Sequence, residues 1–217
     1  MSGWSPQLTD VFALFGISVV LCAGLLALLA SWCGAATRTA VVRLTAVCFI
    51  VLLWIPVGTA HIPAVAYVRG ISADLSITLI ALAVWRICCA AFNFPPPPKR
   101  EKVVVLVAVA LAALFLYPLA LGWGDWDPYS PGWGSWGMLL ALLLICAGCL
   151  ANGLKVLPAS VALALMAWSL SLMESSNLWD YLFDPWLSVF AIGCVVKQVF
   201  IKYAPFTAGR FIKRIFH

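Results

Sequence analysis

Long apolar runs recur along this chain, and they decide what it can fold into. Of its 217 residues, 65% are apolar and 10% are charged, and the mean hydropathy is +1.06. A water-soluble domain cannot hide this much apolar surface. Since a spanning helix needs about 20 apolar residues, the chain has room for about seven spans and for no separate soluble domain. We therefore expect one all-α integral membrane domain over residues 1–217.

The spans are expected to be helices because backbone groups in hydrocarbon must be paired, and because the runs are longer than the alternating segments of a barrel. Pro56 falls within the second run and is expected to kink the end of that helix. Four consecutive prolines make residues 94–102 a stiff cytoplasmic linker. The seven predicted helices cover about 11–31, 44–59, 75–92, 103–121, 137–150, 156–172 and 185–201.

Charged residues divide between two sets of connections that alternate along the chain. Twelve of the thirteen Lys and Arg residues fall at or near one set, and seven of the eight acidic residues fall at the other, where Arg69 is the single basic residue. Because Lys and Arg mark cytoplasmic connections, the N-terminus is predicted to lie outside and the C-terminus inside. The bias towards Ala, Leu and Val favours a bacterial host, so we expect a multi-pass protein of the inner membrane.

Two predicted outer loops combine carboxylates with aromatic side chains, and both contain an Asp-Pro-aromatic sequence, beginning at Asp127 and Asp184. Aromatic faces stack on sugar rings, and carboxylates accept hydrogen bonds from hydroxyls. The alternative explanation is an aromatic belt at the membrane interface. The predicted ligand-binding residues are Trp123, Asp125, Trp126, Asp127, Tyr129, Trp179, Asp180, Tyr181 and Asp184.

His61 is the one histidine outside the C-terminal tail, and histidine is suited to general-base catalysis near neutral pH. A lone histidine at a helix end is also typical of an interfacial hydrogen-bonding residue. No second histidine lies nearby, so no metal site and no cofactor is predicted, although the outer carboxylates allow a divalent cation. The catalytic candidates are His61, Asp125, Asp127, Glu174, Asp180 and Asp184.

Other features have simpler explanations. Cys146 and Cys149 form a C-x-x-C pattern, but Cys, Ala and Gly also let membrane helices pack closely. Arg86 and Lys197 are expected to extend from their helices to the inner surface. The basic, aromatic tail over 202–217 predicts anchoring to anionic lipids. Topology thus accounts for the positive charge, and no nucleic-acid partner is expected.

Three functions are compatible with this pattern. The first is an accessory or binding component of cell-envelope lipid or glycan biogenesis, whose outer loops recognise a headgroup, a glycan or a partner subunit. The second is a membrane-embedded enzyme that acts on a lipid-linked substrate through the outer carboxylates. The third is a small-solute transporter, for which Pro56 and Pro118 would mark broken helices.

Overall fold

The computed structural model describes residues 7–33, 39–59 and 61–203, in which the chain is mostly helical. Arg38 and the predicted amphipathic tail beyond residue 203 lie outside these ranges. The elements in chain order are α1 (Leu8–Cys33), α2 (Thr39–Leu53), β1 (Pro56–Val57), β2 (Ile62–Pro63), α3 (Ala64–Ser72), α4 (Ile77–Phe92), α5 (Lys99–Ala120), a 3-10 helix (Ser130–Trp133), α6 (Trp136–Ala151), α7 (Val156–Ser169), α8 (Leu178–Leu182) and α9 (Pro185–Tyr203).

Three helices in the described ranges are long and apolar enough to cross a membrane. Their apolar segments are Leu8–Ser31, Lys99–Ala120 and Pro185–Lys202. Helices α2, α4, α6 and α7 are also apolar but shorter. With its 14 residues, α7 rises only about 21 Å, less than the ~30 Å of a hydrocarbon core. The seven predicted ranges each overlap one of these seven helices.

The flanks of the bundle are apolar. Leu143 and Leu144 of α6 are 64% and 63% exposed, and α2 and α9 likewise present exposed Val, Leu, Ile and Phe side chains. Contiguous exposed apolar surface on this scale marks a contact with lipid or with another protein. The composition of the flanks therefore agrees with a membrane environment.

Helix pairs and small side chains build the interior. α5 packs along α9, and α1 packs along α4. Ala113, Ala164 and Ala191 are at most 1% exposed within the largest core cluster. Small residues at such contacts let two helix backbones approach closely, which increases dispersion contacts in a medium that provides no hydrophobic driving force.

The expected kink at Pro56 is wrong, because the second helix ends at Leu53 rather than near Thr59. Proline has no N–H to donate to a helix, and its ring restricts the residue before it, so the chain leaves the helix there. Pro56–Val57 instead pairs with Ile62–Pro63 in a short antiparallel hairpin.

Two short helices and several boundaries also differ from the prediction. α3 lies in the connection between the second and third predicted helices, and α8 forms within the outer loop before α9. α5 begins at Lys99, directly after the last proline, so the linker is shorter than 94–102. Proline is well tolerated just before the first helical turn, where its missing N–H would have no partner.

The two ends of the bundle are closed by different contacts. At one end, hydrogen bonds join Asp10, Arg69, Asp74 and Glu174, and we call this the acidic end. At the opposite end, the carboxylate of Glu101 accepts hydrogen bonds from the N–H groups of Lys155 (2.8 Å) and Val156 (2.6 Å), which caps α7. We call this second end the basic end, since Lys99, Arg100, Lys102 and Lys155 lie there.

Gly132 lies where the loop between α5 and α6 packs tightly against the loop between α7 and α9. A side-chain carbon at this position would overlap with Oδ1 of Asn177 and lie 2.6 Å from a ring carbon of Trp179. Both neighbours are held in place, because Asn177 caps α8 and the Trp179 indole donates to the carbonyl of Pro128. Only glycine fits there without moving one loop.

We predict that Gly132→Ala lowers the free energy of unfolding by about 1–3 kcal/mol, the usual cost of overpacking a tight contact. Gly137→Ala is the matched control, because nothing lies within 4 Å of its added carbon. This control variant should be as stable as wild type or slightly more so. Thermal unfolding in detergent measures both, and equal midpoints for the two variants would contradict the loop contact.

Candidate functional site

Arg69 joins three segments of the chain at the acidic end. Its Nε donates to Asp74 (3.1 Å), Nη2 donates to Glu174 (2.6 Å), and Nη1 donates to Asp10. Asp10 lies in α1, Asp74 follows α3, and Glu174 lies between α7 and α8. A guanidinium offers five donors in a fixed plane, so one arginine serves three carboxylates in a way that lysine cannot match.

The charge of Arg69 is stabilised by these partners. Its side chain is 19% exposed, and burial by itself would lower its pKa. The hydrogen bond that Arg69 donates to Asp10 and the negative charges of Asp74 and Glu174 outweigh burial and raise the pKa. These contacts therefore favour the charged form of Arg69 beyond that of a free arginine side chain.

A turn in the left-handed region places Asp74 beside Arg69. Ala73 has φ 56°, and its N–H donates to the carbonyl of Arg69. With ψ −161°, this backbone conformation is sparsely populated by L-residues and costs roughly 1–3 kcal/mol. The second oxygen of Asp74 accepts a hydrogen bond from the N–H of Glu174 at 3.3 Å. The contacts of Asp74 thus offset the strain of the turn.

Asp184 is a structural joint between two helices. It is 2% exposed, and one of its oxygens accepts hydrogen bonds from the N–H (2.9 Å) and the hydroxyl (2.6 Å) of Ser76 at the start of α4. Its other oxygen caps α9 by accepting from the N–H of Leu187 at 2.8 Å. A buried carboxylate is tolerated when its lone pairs are filled in this way.

Asp180 connects the two aromatic loops. One of its oxygens accepts hydrogen bonds from the hydroxyls of Tyr129 (2.6 Å) and Ser175. Nearby, the side-chain amide of Asn177 donates to the carbonyl of Tyr129 at 3.0 Å. The polar residues of these loops are therefore bonded to each other, and they hold the loops together.

A cavity of about 700 Å³ opens beside this network. Five carboxylates and one guanidinium lie in its lining, a formal charge of four negative if all are ionised. Its apolar wall includes Leu14, Met173 and Phe183. The polar lining residues are Asp10, Arg69, Ser72, Asp74, Glu174, Ser175, Asp180 and Asp184. A ligand there would find many hydrogen-bond acceptors and one cation.

The cavity brings together only some of the residues predicted from the sequence. Glu174, Asp180 and Asp184 lie in its lining. Tyr129, Trp179 and Tyr181 do not line the cavity, but each contacts a residue that does. Trp179 contacts Phe183, whose ring centroid is 5.6 Å from its own. The remaining predicted binding residues, which also lie outside the lining, are Trp123, Asp125, Trp126 and Asp127.

His61 also lies away from the cavity. It sits in the hairpin turn with φ 49°, is exposed, and is not among the residues that line the cavity. The sequence also makes His61 a candidate to meet Asp125, Glu174 or Asp180, of which Glu174 and Asp180 line the cavity and Asp125 does not. Among the described residues, no three His, Cys, Asp or Glu side chains are arranged to hold a metal ion.

Exposure separates the tryptophans into two groups. Trp123 and Trp136 are 80% and 86% exposed at the ends of α5 and α6, as a belt at the membrane interface would be. Trp179 is half-buried and hydrogen-bonded within the loops. The belt interpretation suits the first group, and a structural role suits the second.

The charged lining residues that sequence reasoning missed are Asp10, Arg69 and Asp74. One signal was available for Arg69, because it is the single basic residue among the acidic connections. An isolated cation among carboxylates is more stable paired than solvated alone at a partly buried site. Nothing in the local sequence indicates which carboxylates it would bind.

Known proteins add no further information on this site. No known protein family, curated protein or solved structure matches the chain. The function must therefore be argued from the geometry of the site.

We predict that Arg69→Gln destabilises the protein by about 2–3 kcal/mol, somewhat below the ~3–5 kcal/mol of a fully buried pair because the side chain retains some exposure. The stability falls because Asp10, Asp74 and Glu174 lose the cation to which they are bonded. Arg100→Gln, at the exposed start of α5, is the control and should change stability by less than about 0.5 kcal/mol. Unfolding midpoints in detergent compare the two, and adding Asp10→Asn to Arg69→Gln should recover part of the loss.

Tyr129 should resist deprotonation in alkali. Its pKa is raised by burial, and the hydrogen bond to Asp180 and the charge of Asp180 raise it further. Because the folded pKa exceeds the unfolded value of about 10, the stability from Tyr129 is complete below about pH 10 and is lost as the pH rises further. At about pH 10.5, the folded protein and Tyr129→Phe should show equal tyrosinate absorbance, whereas in denaturant the wild type should show roughly three-quarters of one tyrosinate more. The same excess in the folded wild type would refute the protected environment.

Proposed function

We propose that this chain is a multi-pass protein of a bacterial inner membrane, with seven spans, its N-terminus outside and its C-terminus inside. The seven apolar helices support this proposal, as does the division of charge between alternate connections. The hydrogen bonds of Arg69 support it further, because they bring the start of α1, the end of α3 and the loop after α7 to one end of the bundle. With this orientation, the acidic end faces outward.

Within this topology, we propose that the protein is a binding component of cell-envelope lipid or glycan biogenesis. The cavity at the acidic end would hold the polar headgroup of a lipid or a glycan. The observation that carries this proposal is a cavity of about 700 Å³ with acceptor-rich polar lining and an apolar wall. Carboxylates accept hydrogen bonds from hydroxyl and ammonium groups, and an apolar wall suits a ligand that is partly hydrocarbon.

The contacts of the carboxylates favour recognition over catalysis. The carboxylate of Asp184 accepts three hydrogen bonds, and that of Asp180 accepts two from hydroxyl groups. Neither is therefore placed to exchange a proton with a substrate. Glu174 is the exception, since its side chain is 64% exposed and shares only one oxygen with Arg69. An enzyme acting on a lipid-linked substrate is therefore the second candidate, with Glu174 as its acid or base.

Filling the cavity tests the binding proposal without removing any polar group. Gly70 lies in the lining on α3, and nothing is within 4 Å of a side-chain carbon built there. Gly70→Leu should therefore fold while occupying the space of the ligand. Gly148→Leu, on the exposed side of α6, makes the same change where no cavity lies.

We predict that native mass spectrometry of protein extracted gently from its own membrane finds a lipid or glycolipid on the wild type and on Gly148→Leu. Gly70→Leu should lose it. An adduct that persists in Gly70→Leu would contradict a headgroup site in this cavity, and a retained protein would point to a partner subunit instead. If Glu174→Gln keeps the adduct but stops its conversion to a new species, the second candidate is favoured.

A further inference from the structure

A second cavity, of about 290 Å³, runs along the flank of the bundle from the basic end. Its lining comes from α4, α5, the first residue of α7, α9 and the proline segment between α4 and α5. The apolar lining residues are Leu82, Trp85, Cys89, Pro96, Pro97, Val105, Leu106, Val156 and Phe190. We call this cavity the flank groove.

The flank groove is long in the direction of the helices. Pro97 and Lys102 lie at the basic end, where α5 begins, and Arg86 lies in the second half of α4. Leu82 and Phe190 lie in the first halves of α4 and α9, which start from the acidic end. The groove therefore extends from a charged mouth towards the apolar middle of the bundle.

Two cations at this mouth form no ion pair with a carboxylate of the described residues. Arg86 and Lys102 are exposed lining residues, whereas the three ion pairs within the described residues all belong to Arg69. Glu101 is next to Lys102 in the chain, but its carboxylate caps α7. The two lining cations thus give the mouth a positive charge that no carboxylate of the described residues neutralises by an ion pair.

The proline segment keeps the groove open. The Trp85 indole donates to the carbonyl of Pro95 at 3.2 Å, which holds the segment against α4. Pro96 and Pro97 then form one side of the groove. Proline has no N–H and a fixed φ, so this wall is rigid and offers no donor to a polar ligand. The apolar lining is therefore formed before any ligand binds.

We propose that the flank groove binds one anionic phospholipid of the leaflet at the basic end. Its phosphate lies between Arg86 and Lys102, and one acyl chain follows the apolar lining towards Leu82 and Phe190. Charge complementarity carries the headgroup assignment, because basic pockets between membrane helices suit anionic headgroups. The apolar lining selects a lipid over a free phosphate, which would leave that surface bare. This site is separate from the cavity at the acidic end and does not depend on its function.

The test measures lipid binding to delipidated full-length protein in detergent by native mass spectrometry, using phosphatidylglycerol and phosphatidylcholine with the same acyl chains. Each Lys or Arg near an anionic surface contributes a factor of roughly five. The double variant Arg86→Gln/Lys102→Gln should therefore bind phosphatidylglycerol about 25-fold more weakly and lose the preference for it. The control Lys99→Gln/Arg100→Gln removes two cations of the same end that do not line the groove, and it should keep the preference.

A third variant, Leu82→Trp, keeps both cations and fills the groove, so it should weaken the binding of both lipids. Unfolding midpoints confirm that each variant is folded. The proposal is overturned if wild type shows no preference for phosphatidylglycerol, or if the control variant loses the preference to the same extent as Arg86→Gln/Lys102→Gln. It is also overturned if Leu82→Trp binds as wild type does, or if inorganic phosphate competes as strongly as the lipid.

Discussion

The hydrogen bonds of one guanidinium determine the shape of the acidic end. Arg69 bonds to Asp10, 59 residues away in the chain, and to Glu174, 105 residues away. Holding such distant segments together costs loop-closure entropy, which several charge-assisted hydrogen bonds to one rigid group offset better than separate weak pairs. Because the same residues line the cavity of about 700 Å³, the shape of the cavity depends on the hydrogen bonds of Arg69.

In the neighbouring loops too, polar side chains form hydrogen bonds with other groups of the protein. Asp184 joins the starts of α4 and α9, and Asp180 joins Tyr129 to Ser175. Within the described residues, no buried side-chain nitrogen or oxygen lacks a hydrogen-bond partner. A loop fully bonded in this way is rigid, and rigidity is what a recognition site requires. The loops that look richest in functional residues are therefore chiefly the frame of the cavity.

Local sequence predicted the long helices because each apolar run is a local property, and every predicted range overlaps an apolar helix. It failed at α2, where the hydrophobic pattern continues past Leu53 but Pro56 ends the helix. For the site, composition alone indicated Glu174, Asp180 and Asp184. It could not indicate their partners, since the pair Ser76 and Asp184 is separated by 108 residues and only the packing of α4 against its neighbours brings it together. Pairing at that range is a property of the fold.

The two ends of the bundle treat charge differently, and the proposed membrane topology accounts for the difference. In that topology, the carboxylates at the acidic end face a lipid surface that is neutral or anionic and supplies no cation, and Arg69 stabilises them instead. In the proposed lipid site, Arg86 and Lys102 at the basic end face lipid phosphates, which provide partners from outside the chain. A cation that pairs with a lipid does not require a second side chain of the protein to be ordered, so folding avoids that entropy cost. The asymmetry of ion pairs within the described residues thus follows from which charges the bilayer can neutralise.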